Sequence, residues 1–118
     1  MFDKLEEVVV RHQEVDGLLS DPRVFEDIKR YQSLASERAK LAPIVEKYQH
    51  YKKVLEQLED NKRLMGEPDE EMRELAREDI ALLTGQKSAL EQDLQIMLLP
   101  KDPRDEKNVI LEIRAGTG

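Results

Sequence analysis

The sequence predicts an all-α fold: an elongated antiparallel helical bundle with a long coiled-coil-like hairpin, followed by a short C-terminal extended segment. Two stretches repeat mainly apolar residues at alternating intervals of four and three, which is the spacing of one helix face. A Gly-Glu-Pro joint at residues 66–68 separates them. The composition agrees, because 38% of the 118 residues are charged and only 4% are aromatic. Long helices need only narrow apolar stripes to pack.

The longest predicted helix spans Asp69–Leu99 and organises the rest of the chain. Pro68 suits its first position, where the missing proline N–H would have no helical partner. Acidic residues 69–71 favour the positive end of the helix dipole, and Pro100 is expected to end the helix. The stripe, apolar except at one lysine, comprises Ala76, Ile80, Leu83, Lys87, Leu90, Leu94 and Met97, extended by Met72 and widened by Leu75, Leu82 and Leu98.

The first helix is predicted over Phe2–Leu19, and a short break separates it from the second. Asp21 can cap the second helix, and Pro22 can occupy its first position. His12 lies on the apolar face of the first helix, where we expect a histidine at the edge of the core and not a functional one. This face comprises Phe2, Leu5, Val8, Val9, His12, Val15 and Leu19.

A second helix is predicted over Pro22–Leu41 and a third over Pro43–Met65. Pro43 is expected to break or kink the chain near Leu41–Ala42, because proline removes one helical hydrogen bond and clashes with the preceding turn. The inner face of the second helix comprises Val24, Phe25, Ile28, Tyr31, Ala35 and Arg38, with Leu34 and Leu41 beside it. The stripe of the third comprises Ile44, Tyr48, Tyr51, Leu55, Leu58, Lys62 and Met65.

The joint of the hairpin, Gly66-Glu67-Pro68, is the candidate partner-binding site. Gly66 is predicted to cap the third helix in a left-handed conformation, which costs glycine little. Glu67 and Pro68 then turn the chain toward the last helix. Helices one and two should pack against the open end of this hairpin.

Tyr48 and Tyr51, interleaved with basic residues between positions 47 and 53, allow two interpretations. They could form a stacking surface for single-stranded nucleic acid, or they could be core residues of the stripe, which we favour. The net charge is −7, and residues 101–118 carry four basic and four acidic side chains, so the whole excess lies in residues 1–100. Such an acidic body is a poor binder of phosphate, which points to protein partners or to basic surfaces on a larger assembly.

No catalytic, cofactor or metal site is evident, and the protein is not expected to be an enzyme. The absence of cysteine excludes disulfides and thiolate metal sites. The two histidines, His12 and His50, fall in different helices without ligand spacing, and no serine or threonine lies in a nucleophile elbow. No apolar run approaches the roughly 18 residues of a membrane span, and no signal peptide is recognisable, so a cytoplasmic location is expected.

The chain changes character after residue 99, and three segments are predicted: a helical domain over 1–99, a linker over 100–107 and the truncated start of a core domain over 108–118. The linker is polar and rich in helix breakers. Residues 108–114 (NVILEIR) alternate with the period of a strand. Because a lone strand lacks a ladder partner, we expect this chain to be the N-terminal piece of a longer protein.

Three C-terminal segments carry a family resemblance: residues 98–103 (LLPKDP), 105–108 (DEKN) and 111–118 (LEIRAGTG). They closely resemble the start of bacterial peptide chain release factor 1, a class I release factor. Residues 1–22 and the stretch 73–76 (RELA) are similar to the family too, so the resemblance covers the whole chain. In that family this segment links an N-terminal helical domain to the catalytic and decoding core.

The resemblance implies a role in translation termination at stop codons, UAG and UAA in this family. It also implies contact with the factor-binding side of the ribosome near its stalk base, where a termination GTPase works. The family reads codons with Pro-x-Thr and promotes hydrolysis with Gly-Gly-Gln, and neither motif occurs here. Only the role of the N-terminal domain is therefore carried over.

Two other classes of function remain open. A coiled-coil adaptor or chaperone-like hairpin would show the same helical pattern, and only residues 98–118 separate it from the release-factor interpretation. A nucleic-acid-binding helical arm would need a basic stripe, and the acidic body argues against one.

Overall fold

A computed structural model describes residues 1–100, which form three α-helices and one 3₁₀ helix. The α-helices α1 (Phe2–Leu19), α2 (Ile28–Leu64) and α3 (Glu70–Met97) pack antiparallel in chain order. The contacts of α1 extend from the first half of α2 as far as Lys52, α3 packs along the second half, and the two meet near the middle of α2. The fold is elongated and measures 63 × 34 × 17 Å, and the described part contains no strand, which confirms the predicted all-α hairpin bundle. The 3₁₀ helix, Pro22–Glu26, lies between α1 and α2.

The first helix has the predicted bounds, since α1 begins at Phe2 and ends at Leu19. Asp21 then accepts a hydrogen bond from the Arg23 backbone N–H at 3.0 Å, and Pro22 occupies the first position of the element that follows. The cap and the proline therefore lie where the sequence predicts them. They start a 3₁₀ helix, however, and not the second α-helix.

The start of the second predicted helix is divided into the 3₁₀ helix and the beginning of α2. Asp27 separates the two in an extended conformation, φ −125° and ψ 95°, and its carboxylate accepts the Arg30 N–H at 3.1 Å. A 3₁₀ helix has three residues per turn, so apolar positions before and after Asp27 do not share one α-helical face. Phe25 and Ile28, predicted to pack inward, are exposed for this reason, whereas Leu34 is buried.

The break expected at Pro43 is absent, because α2 continues through it without interruption. The proline costs one helical hydrogen bond, and contacts with α1 on both sides of it offset that cost. Before Pro43, Arg38 Nε donates to Asp16 Oδ1 at 2.5 Å. After it, the Tyr48 hydroxyl donates to Glu6. Tertiary packing thus overrides the local preference, and the second and third predicted helices are one.

The joint between α2 and α3 differs from the prediction at both ends. Met65 caps α2 in a right-handed conformation, φ −65° and ψ −15°, and Gly66 does not adopt a left-handed φ. Pro68 lies outside α3, because Asp69 is the N-cap and its carboxylate accepts the Glu71 N–H at 3.0 Å. The carboxylate satisfies a helical N–H directly, so the helix begins at Glu70, two residues later than a start at Pro68.

Two clusters of buried side chains form the core. The larger lies where α2, α3 and the start of α1 meet, and the smaller lies between α1, the 3₁₀ helix and the first half of α2. The larger comprises Leu5, Tyr48, Tyr51, Val54, Leu58, Leu83, Leu90 and Leu94, and the smaller comprises Val15, Val24 and Leu34. The predicted stripes of α2 and α3 therefore supply most of the core, and Val54 joins them although the spacing did not include it.

Within residues 1–100, no helix covers one side of α3. Met72, Leu75 and Leu82, predicted to extend and widen its stripe, are exposed, and only Leu98 among the added residues packs against the core. Within residues 1–100, α2 is the one helix that packs along α3. Apolar residues of α3 that face away from α2 therefore have no helix to pack against in this part of the chain.

The last helix ends at Met97, and its C-cap, Leu98, lies two residues before Pro100. The predicted linker beyond Pro100 and the strand predicted over 108–114 lie outside the described residues. None of the helices in residues 1–100 is both long enough and apolar enough to cross a membrane.

Candidate interaction site

The predicted partner-binding residues form the tip of the hairpin. Gly66, Glu67 and Pro68 are all exposed. Two turn hydrogen bonds order the backbone: the Gly66 N–H donates to the Arg63 carbonyl and the Glu67 N–H to the Leu64 carbonyl, each at 3.1 Å. The three residues are thus together at the surface, at the far end of the molecule from the 3₁₀ helix.

Arg73 holds the tip from the first turns of α3. Its Nη1 donates to the carbonyl oxygens of Glu67, at 2.7 Å, and Pro68, at 2.9 Å, and its Nη2 pairs with Glu70. One guanidinium therefore links the turn backbone to the helix that follows it. Sequence reasoning missed this role. A basic residue near the start of a helix interacts unfavourably with the helix dipole. The position of Arg73 in the sequence could therefore have indicated that its side chain has a nearby hydrogen-bond partner.

The tip and the adjoining ends of the two helices are acidic. Residues 59–74 carry seven acidic and three basic side chains. All three basic side chains are paired, since Lys62 contacts Glu59 at 3.4 Å, Arg63 contacts Asp60 at 2.8 Å, and Arg73 contacts its neighbour as above. This end of the hairpin therefore presents net negative charge, which is suited to a basic partner and unsuited to phosphate.

Tyr48 and Tyr51 do not form a stacking surface, because both rings are only 2% exposed. The Tyr48 hydroxyl donates to Glu6 and the Tyr51 hydroxyl donates to Glu91 Oε2 at 2.7 Å. Burial, reinforced by these carboxylates, raises the pKa of each tyrosine to about 12. Lys52 Nζ lies 4.7 Å from the centre of the Tyr48 ring. The two side chains are core residues, as favoured from the sequence, and the nucleic-acid interpretation of them is wrong.

The two histidines do not come together. His12 is half-buried on α1, with Nδ1 3.7 Å from Asp16 Oδ2 and with Nε2 buried and lacking a hydrogen-bond partner. His50 is exposed on α2. His12 therefore lies at the edge of the core, as predicted. Among residues 1–100, no group of three or more His, Cys, Asp or Glu side chains is arranged to hold a metal ion.

Residues 8–118 match the family model described as the PCRF domain. Curated relatives called Peptide chain release factor 1 align with the whole chain. The relative from Lactococcus lactis subsp. cremoris is 48% identical, the one from Agathobacter rectalis 50% and the one from Geobacter sulfurreducens 45%. The chain covers 34%, 33% and 33% of these relatives, respectively, so it spans about a third of their length.

Proposed function

The chain belongs to the PCRF domain family, and from that membership we propose that it is the N-terminal, ribosome-contacting domain of a release factor that directs translation termination at stop codons. UAG and UAA are the proposed codons, from the resemblance of residues 98–118. The observation that carries the proposal is an identity of 45–50%, over the whole chain, with relatives called Peptide chain release factor 1.

The proposed division of labour follows the segments of the chain. Residues 1–99 are the helical domain, residues 100–107 are the linker, and residues 108–118 start the core domain. Codon reading and peptide release belong to parts of the whole factor outside this sequence, since Pro-x-Thr and Gly-Gly-Gln do not occur in it. By itself, the chain contacts the ribosome without catalysing peptide release.

The hairpin tip, Gly66-Glu67-Pro68, is the proposed point of contact. Its exposure and the two hydrogen bonds from Arg73 support this assignment, because a preorganised surface loses little entropy on binding. Its acidic surroundings are complementary to basic ribosomal proteins. The proposed location is the factor-binding side of the ribosome near the stalk base, with the termination GTPase as a second partner.

A chimera tests the proposed function. This chain replaces the aligned third of the Lactococcus lactis relative, and peptide release is measured on ribosomes that carry UAG, UAA or a sense codon. The chimera should release peptide at both stop codons and not at the sense codon. A control chimera with an unrelated helical hairpin in the same place should lose most of this activity. A folded chimera that fails at both stop codons would favour the adaptor or chaperone-like interpretation.

The tip is tested separately with the chain itself. Sedimentation with purified ribosomes should show binding by the parent chain and binding weakened about tenfold by Glu67→Lys, because a reversed charge at an interface meets a like charge. Glu26→Lys makes the same change at the opposite end of the molecule and should leave binding unchanged. Equal binding by the two variants would remove the tip from the proposal.

A further inference from the structure

The helix α3 carries a second apolar row on a side that α2 does not cover. Leu75, Leu82, Ala89 and Ile96 recur every seven residues, which places them close to one line along a helix. All four are exposed, and the three large side chains are 62%, 63% and 66% exposed. At about 1.5 Å per residue, the row is about 31 Å long. We call these four residues the outer row.

The outer row has the form of a helix-packing surface. Gly85 lies beside it between Leu82 and Ala89, and a Cβ added at Gly85 would meet nothing within 4 Å. Gly85 and Ala89 add little side-chain bulk between Leu82 and Ile96, so side chains of a second helix can approach the backbone of α3 there. Single exposed apolar residues are common on protein surfaces, whereas apolar residues aligned along one side of a helix form the stripe that helices use to pack.

Charges beside the outer row indicate the chemistry of its partner. Glu78 and Asp79 lie three or four residues from both Leu75 and Leu82, so their side chains flank the row on the helix surface. Glu71 lies one turn before Leu75. These three carboxylates form no ion pair within residues 1–100, because both arginines of this stretch pair with other carboxylates. The first half of the outer row is therefore an apolar surface flanked by negatively charged side chains.

We propose that the outer row docks an amphipathic α-helix from a protein partner that carries Lys or Arg beside its own apolar residues. The partner's apolar side chains cover the row, and its cations meet the carboxylates that flank Leu75 and Leu82. A second copy of the chain is disfavoured as the occupant, because its carboxylates would add like charge to the same interface. The inference goes beyond the proposed role in termination and depends only on α3.

Two synthetic helical peptides of about 21 residues, the length that spans the row, serve as probes. They share one row of leucines and differ in carrying either Lys or Glu at the flanking positions. Fluorescence anisotropy with the full 118-residue chain should show micromolar binding of the Lys peptide and binding of the Glu peptide at least about tenfold weaker. Raising the salt concentration from about 0.05 M to about 0.5 M should reduce the difference in affinity between the two peptides, because salt screens the charges.

Variants of the chain locate the binding. The double variant Leu75→Gln, Leu82→Gln should weaken binding of the Lys peptide at least about tenfold, since it removes two apolar side chains and keeps a helix-forming residue at each position. Val10→Gln is the matched control, because Val10 is 53% exposed on α1, and it should bind like the parent. Unchanged thermal melting of both variants shows that the fold is intact.

Three results would overturn the proposal. They are equal binding of the two peptides, undiminished binding by the double variant, and concentration-dependent dimers of the parent chain that the double variant abolishes. The third result would assign the row to a second copy. The release assay with the chimera is independent of these measurements, so either proposal can fail while the other stands.

Discussion

The hydroxyl of Tyr51 on α2 donates a hydrogen bond to Oε2 of Glu91 on α3 at 2.7 Å. One turn earlier, Tyr48 makes the corresponding bond to Glu6 on α1. A single turn of α2 therefore bonds to both of the other helices. Each tyrosine places its ring in the core and its hydroxyl at the edge, where a carboxylate satisfies it. The two bonds fix how the helices align at the larger core cluster.

The first prediction concerns the bond between Tyr51 and Glu91. Tyr51→Phe should lower the free energy of unfolding by about 1 kcal/mol, because the ring stays buried and only one hydrogen bond is lost. Urea denaturation measures the change. Tyr31→Phe is the control, since Tyr31 is half-buried and its hydroxyl makes no hydrogen bond within residues 1–100. Equal losses in the two variants would show that the bond to Glu91 contributes nothing specific.

The second prediction concerns alkaline pH. Burial first, and then the paired carboxylates, raise the pKa of Tyr48 and Tyr51 from 10.0 to about 12. A group whose pKa is higher in the folded state than in the unfolded state stabilises the fold. This contribution is fully present at pH values below the unfolded-state pKa, and it is lost as the pH rises through the folded-state pKa. The free energy of unfolding should therefore fall between pH 10 and 12.

The double variant Tyr48→Phe, Tyr51→Phe isolates this effect, because lysines titrate in the same range in both proteins. Its stability should be lower than that of the parent at neutral pH and should fall less as the pH is raised. Denaturant midpoints at a series of alkaline pH values give both curves. Parallel curves would mean that the two hydroxyls do not titrate with unfolding.

The apolar spacing was sufficient to predict α1 and the buried stripes of α2 and α3, because burial on a helix follows its own period. It could not predict the continuity of α2 at Pro43, since contacts with α1 decide that and they depend on the folded arrangement. The exposure of Leu75 and Leu82 could not be predicted from the spacing either. The spacing places the stripe but does not fix its width, so it does not tell that α2 covers Leu83 and leaves Leu82 exposed.

The candidate site was predictable only in outline. The turn at Gly66 and Pro68 follows from residue type, because both favour turns. The hydrogen bonds that Arg73 donates depend on where two carbonyl groups point after the chain has turned. No spacing in the sequence encodes that direction, so Arg73 emerges only from the structure.

The third prediction concerns Pro43. Pro43→Ala should raise the free energy of unfolding by about 1–2 kcal/mol, because α2 is helical on both sides and alanine restores an N–H that can bond to the Ala39 carbonyl. Pro22→Ala is the control. Pro22 begins the 3₁₀ helix, where no helical bond is missing, so this change should lower stability slightly by freeing the unfolded chain. A loss of stability on replacing Pro43 would contradict the continuity of α2.

The fourth prediction separates the two apolar rows of α3. Leu90→Ala should lower the free energy of unfolding by about 2–3 kcal/mol, at the low end for a core leucine, because an elongated bundle can close part of the cavity. Leu82→Ala should change it by less than about 0.5 kcal/mol, since Leu82 is exposed. Thermal melting of the two variants provides the comparison. Similar shifts in melting temperature for the two variants would contradict the assignment of Leu90 to the buried row and Leu82 to the exposed row.

The last prediction concerns the backbone at the hairpin tip. Gly66 lacks a left-handed φ, and a Cβ added there would meet only the Arg63 carbonyl oxygen, at an ordinary 3.5 Å. Gly66→Ala should therefore leave the free energy of unfolding unchanged or raise it by up to about 1 kcal/mol, because alanine restricts the unfolded chain more than glycine does. A left-handed cap would instead make the substitution cost about 1–2 kcal/mol. Gly85→Ala, in the interior of α3 with open space around it, is the reference and should raise stability by about 1 kcal/mol. Denaturant unfolding of both variants and the parent decides between the two conformations of Gly66. Destabilisation by Gly66→Ala together with stabilisation by Gly85→Ala would show that Gly66 is a left-handed cap.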